Sequence, residues 1–405
     1  MFTSKSNLKN SNNIFFKNIK FRSLLLGLFF FNCSDWIERL CISWLILNAT
    51  ESILATTSAF AITQVVQMIS SPFTGGAADK FGRNKITILN GFGRFIVLSA
   101  LAYFIYEEKN FITLAYIAAA INGLNRSFIV PSIQGNILNS VKVNERIKAM
   151  LFYSLIMRST AIIGALIGGA FSILLGIEEA LLLAGVIGLI GAIYMLFITK
   201  NSQEIKNNEK YFQGIFLGLK LVFGNLYTRN LLIFAGIVEI FGFSFFSLLS
   251  SISKFILNSE IGTLSILQSA IGLGSVFGII FLFKWKDINK AHILTSYITI
   301  FFGISIFFVS IFPHFLIVLF FLLIIGACSA CFDAIQWIFL QKNIPDHLRS
   351  TAVSAWFITI GFGWTGHIIL GFLSDNYGLK TTTIFTGIIL MVSGVIYLIN
   401  TKNIN

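Results

Sequence analysis

The chain has 405 residues, 56% of them apolar and only 11% charged, against about 25% charged in an ordinary soluble domain. A chain this apolar has too little polar surface to cover a water-soluble core, so the composition assigns it to a bilayer. Its net charge of +12 is scattered in short clusters between apolar runs and not gathered in a basic domain, which argues against a nucleic-acid partner.

Residues 1–22 form a polar, basic tail. No small-residue cleavage site follows it, so the first apolar run reads as a retained span and not as a signal peptide. A spanning helix needs about 20 mainly apolar residues. Such runs fall near 23–48, 53–77, 86–106, 111–136, 148–175 and 180–199. A hydrophilic stretch then interrupts, and 211–226 within it is amphipathic, as expected of a helix lying at the membrane interface. Six more runs follow near 229–252, 261–283, 291–311, 314–338, 350–372 and 382–400. The expected organisation is a tail over 1–22, a six-helix bundle over 23–199, a linker over 200–228 and a second bundle over 229–405. Most Lys and Arg of the loops lie on the side of the two termini, and only Lys109, Lys254 and Lys380 on the other. Positive charge is retained on the cytoplasmic side, which predicts both termini there.

The halves repeat weakly. Val143–Lys148 aligns with Ile344–Arg349, and the glycines around Gly164, Gly168 and Gly169 align with Gly363, Gly366 and Gly371. Parallel half-repeats are a transporter architecture with the substrate site between the halves. Cys328-x-x-Cys331 has redox or metal spacing, but no second pair completes a zinc site, and packing on one helix face is the simpler reading.

Between spans 2 and 3 stands Gly75-Gly-Ala-Ala-Asp79-Lys80-Phe-Gly82-Arg83-Asn-Lys85. Gly75 permits tight helix contact and Gly82 a sharp turn, while Asp79 lies within reach of Arg83 one turn on. The stretch closely resembles the G-x-x-x-D-[RK]-x-G-R-[RK] signature of the major facilitator superfamily. That resemblance implies an all-α polytopic fold of twelve transmembrane helices, arranged as two six-helix bundles about a pseudo-twofold axis. It also implies a gating role for the motif, with Asp79 facing the start of helix 11 near Ser350 and Thr351. Asn84 departs from the pattern, and the second-half copy near Gly278–Lys290 lacks the aspartate. Asp35-Trp36, Pro131–Gln134 and Asn343–Arg349 resemble the enterobactin- and macrolide-exporter branch. Gly164, Gly168 and Gly169 are similar to its G-P-x-x-G-G signature, except that Ala165 replaces the proline.

Ionisable groups inside a bilayer cost about 2.5–3.5 kcal/mol each and are functional candidates by default. Span 1 carries Asp35, Glu38 and Arg39 on one face, joined by Asn32; span 4 carries Asn122 and Arg126, span 7 Glu239, and span 10 Asp333 and Gln336. The resemblance adds that helices 1, 4, 7 and 10 line the central cavity of the family. Asp35 or Glu38, with Arg126 nearby, is the expected proton-responsive site, since low dielectric favours the neutral carboxyl and a guanidinium the ionised one. Asp35–Arg39 read as a purely structural ion pair is the alternative. Glu239 and Asp333 would serve a cationic or polar substrate. Arg94 is expected to snorkel to headgroups, Arg158 to meet a carboxylate across the bundle, and His367 to be a hydrogen-bonded packing residue. Trp337, Trp356 and Trp364 suit either a lipophilic substrate or packing.

These readings predict proton-coupled efflux of a small amphipathic compound, drug-like or siderophore-like, by a monomer of the cell membrane. Uptake of a sugar, nucleoside or other metabolite by symport is the competitor. No loop is large enough for a catalytic domain and no phosphate-binding signature appears, so an enzyme is not expected. The energy source is a proton gradient and no cofactor or metal is expected.

Overall fold

The computed structural model describes residues 18–81, 83–142, 145–196, 226–284, 291–343 and 361–402. These residues form helices and turns alone. In chain order the helices are α1 (Ile19–Thr50), α2 (Ile53–Phe81), α3 (Arg83–Tyr106), α4 (Phe111–Ser140), α5 (Arg146–Leu174) and α6 (Ile177–Leu196), then α7 (Leu226–Phe241), α8 (Ile261–Lys284), α9 (Ala291–Ile311), α10 (Phe315–Asn343), α11 (Gly363–Tyr377) and α12 (Leu379–Lys402). Among the described residues, nine helical segments are long and apolar enough to cross a membrane by length and composition. The linker with its amphipathic stretch lies outside the described residues, apart from 226–228, which open α7.

Local chemistry sets several ends. The Asn18 side chain accepts from the Phe21 amide at 3.0 Å, capping α1, and its own amide group donates to the Ser140 carbonyl at 2.7 Å. Glu51, at φ 54°, turns the chain out of α1. Span 7 is broken. After Gly242 the backbone tightens into a 3-10 segment over Phe243–Leu248 and loosens into a π turn over Ile252–Ile256. Serine hydroxyls bond to carbonyls of their own segment here, Ser244 to Glu239 at 3.2 Å and Ser247 to Ser244 at 2.7 Å, competing with regular helix.

In the first bundle α1 packs on α5 and α6, α3 on α6 and α4, and α2 on α4; in the second α9 packs on α12 and α10, and α8 on α10. The bundles meet along two seams, α5 on α8 and α2 on α11, which exchange under the pseudo-twofold axis. The glycines divide accordingly. A Cβ at Gly164 would meet Cys33 O and Trp36 Cβ at 2.9 Å, and one at Gly168 would meet Ile37, so both pack α5 onto α1 within the bundle. A Cβ at Gly169 would lie 2.3 Å from Ser265 Cβ across the α5–α8 seam. With no hydrophobic force between helices in lipid, such close backbone approach is what holds membrane bundles together.

Candidate functional site

α1 runs through the first bundle and presents Asp35, Glu38 and Arg39 inward. Arg39 Nε lies 3.2 Å from Asp35 Oδ2 along the same helix, and Arg126 Nη1 of α4 approaches the same oxygen at 3.9 Å. Glu38, 2% exposed, pairs with Arg94 of α3 at 2.5 Å, and that guanidinium also stands 3.8 Å from Asp35 Oδ1. Asn122 is buried with its side chain close to Glu38. Two carboxylates and three guanidiniums from three helices thus form one network. Each charge has a partner, as burial in low dielectric requires.

Arg94 corrects the sequence expectation. It does not snorkel to headgroups; it is 4% exposed and turned into the bundle. It lies eleven residues into α3, about 16 Å from its start at 1.5 Å per residue, too deep for the headgroups to be its nearest partner. Asn32 also departs from the expected face. It turns to α5, donating to Met157 O at 3.2 Å and to the Thr160 hydroxyl.

The second bundle holds a second group. Glu239 of α7 is 7% exposed and lies in the field of Asp333 of α10, which in turn feels the charge of Arg158 on α5. Arg158 lies close enough for its charge to act on Asp333 across the seam between bundles, but the two form no ion pair within 4.0 Å, so the carboxylate contact expected of it is not made. Gln336 is buried one turn further along α10. His367 Nδ1 lies 3.0 Å from Ser247 Oγ and its ring 5.7 Å from that of Phe60, the hydrogen-bonded packing residue anticipated. Cys331 donates to Gly278 O at 3.1 Å, where α10 packs on α8. Among the described residues no group of His, Cys, Asp or Glu has the arrangement of a metal site.

Of the gating motif, Gly75–Lys80 continue α2 and Lys85 is exposed; the side chains of Gly75, Asp79, Lys80, Gly82 and Arg83 lie outside the described residues. So do those of Trp337 and Trp356 and the segment holding Ser350 and Thr351.

Two six-helix bundles that keep ionisable side chains among α1, α3, α4, α7 and α10 define a multi-pass membrane transporter. The family model of the Major Facilitator Superfamily matches residues 24–366, and the chain belongs to that family. Multidrug resistance protein 2 of Bacillus subtilis (strain 168) is 31% identical over 153 residues, 38% of this chain and 36% of that protein. The chain thus aligns with about a third of that relative's length. The Staphyloferrin A transporter of Staphylococcus aureus (strain NCTC 8325 / PS 47) is 19% identical over 91% of this chain and 93% of its own. The crystal structure of the nucleoside transporter NupG superposes with a TM-score of 0.73 at 14% identity, covering 94% of this chain and 98% of that one. At that identity the likeness is one of fold.

Proposed function

We propose that the chain exports a small amphipathic compound, drug-like or siderophore-like, in exchange for protons, by alternating access of a central cavity. The observation that carries this reading is the buried network of Asp35, Glu38, Arg39, Arg94 and Arg126. Two carboxylates 6% and 2% exposed, neighbours on one helix face, are coupled through the one guanidinium they share, that of Arg94. A proton on Asp35 removes the charge that holds Arg39 and Arg126, and one on Glu38 removes the charge that holds Arg94. Each event changes how α1 is tied to α3 or α4, so proton occupancy is converted into helix packing. Glu239 and Asp333, in the opposite bundle, serve a cationic or polar part of the substrate on this reading. A relative named for multidrug resistance supports the export direction.

On this reading the termini are cytoplasmic, the protein sits in the cell membrane as a monomer, and the proton gradient is its energy source. Ala165 favours a second reading, metabolite uptake by symport. It stands where the exporter signature has proline, and α5 runs through it unbroken from Arg146 to Leu174.

Reconstitution in liposomes with an imposed pH gradient and a panel of labelled substrates tests both. Export is expected to release protons in step with one substrate class. Asp35→Asn and Glu38→Gln are expected to uncouple flux from the gradient in the protein that is recovered folded. Full proton-coupled flux in both variants would sink the assignment of the proton site, and accumulation driven with the proton would favour uptake.

A further inference from the structure

The end of α11 reads Gly371-Phe-Leu-Ser-Asp375-Asn-Tyr-Gly378. This is the spacing Gly-x-x-x-Asp-x-x-Gly, the same as Gly75, Asp79 and Gly82 at the end of α2. The two stretches close the two partner helices of one seam, on opposite faces of the molecule, because α2 and α11 run antiparallel. At α11 the geometry of each position is explicit. A Cβ at Gly371 would lie 2.0 Å from Thr57 Oγ1 and 2.8 Å from Leu54 Cα, so glycine alone lets α11 lie this close to the first turn of α2. Gly378, at φ +88°, ends the helix.

Asp375, between them, reaches across the seam. Its carboxylate accepts from Ser52 Oγ at 2.6 Å, from the Ile53 amide at 2.8 Å and from the Leu54 amide at 3.1 Å. The Ser52 hydroxyl oxygen accepts from the Ala55 amide at 3.0 Å. The free N–H groups of the first turn of α2 are therefore satisfied partly by its own serine and partly by the other bundle. A carboxylate at the C-terminal end of α11 is unfavourable for α11 itself, whose dipole is negative there. It becomes favourable only while the positive end of α2 faces it. A second tie on the same face joins Lys254, at the end of span 7, to Glu51 at 3.7 Å.

We propose that Asp375 is a cross-bundle latch that caps α2 and holds the bundles together on the face where α2 begins and α11 ends, the counterpart of the latch expected at Asp79 on the other face. Because one helix pair carries an aspartate at each of its two ends, the two contacts would alternate as the bundles rock. The proposal rests on the alternating-access reading, and is independent of substrate and coupling ion.

Spin labels at Lys109→Cys and His314→Cys, exposed loop positions of the first and second bundle on that face, report its opening as a distance in the full-length chain. The native four cysteines, all buried, are replaced by serine in this background. Without Asp375 changes the short distance is expected to dominate. Asp375→Ala is expected to raise the ratio of long to short distances about fivefold or more, the size of a lost charged cap. Ser52→Ala is expected to shift it the same way by less, and stands in if the Asp375 variant is not recovered folded. Unchanged distances in the recovered variants overturn the latch. A lengthened distance in a chain that transports nothing sustains the latch and counts only against the transport reading.

Discussion

Glu38 and Arg94 show what decides the role of a single buried charge. Asp35 and Arg39 are one turn apart on one helix, so their pairing was readable from spacing alone. The Glu38–Arg94 pair at 2.5 Å depends on how α3 is rotated against α1, which no spacing within either helix encodes. The pair also predicts an asymmetry. Arg94→Ala leaves Glu38 buried with its main partner gone, and is expected to cost about 3–5 kcal/mol of stability. The double variant Glu38→Gln with Arg94→Met removes both charges and is expected to recover most of that loss. Thermal unfolding in detergent reads the difference, and equal losses in the two variants would contradict the pairing.

Between elements, glycine spacing was legible as tight packing but not as a choice of partner. Gly168 and Gly169 are adjacent, yet one faces α1 and the other α8, because consecutive positions on a helix point about 100° apart. Gly164→Ala forces a methyl against Cys33 and Trp36, and is expected to destabilise the first bundle by about 1–3 kcal/mol, seen as a lower unfolding midpoint. Gly169→Ala strains the seam instead. It is expected to change the label distances between bundles more than the unfolding midpoint, and Ser265→Gly in the same chain is expected to restore them, since it removes the atoms the new methyl meets. The break in span 7 has the same origin. It lies against α11, with the Ser244 hydroxyl donating to Gly363 O at 3.0 Å and Gly366 against Ile240 O. The sequence showed an unbroken apolar run there, because the Phe, Leu and Ile residues around the serines keep hydropathy high.

For the whole molecule, the twelve described helices alternate in direction, so α1 begins and α12 ends on one face, and the basic loops on that face carry the proposal that it is cytoplasmic. A single cysteine at Lys109 is expected to react with an impermeant maleimide in intact cells, and one at Lys142 only after permeabilisation. The reverse pattern would invert the topology. The six-plus-six layout was evident from the apolar runs, since a bilayer imposes one length and one composition on every span. The seams were less evident, because lipid-facing and bundle-facing sides of an apolar helix differ little in hydropathy.

The linear order of residues determined the solvent, the number of spans, the family motif and the helices that carry charge, because these follow from local composition and spacing. Tertiary structure alone decided that Arg94 joins Glu38, that Asn32 turns to α5, and that Asp375 caps α2. Each of those contacts joins residues far apart in the chain, and their meeting is set by helix rotation and close glycine packing, which the sequence encodes only through the folded whole.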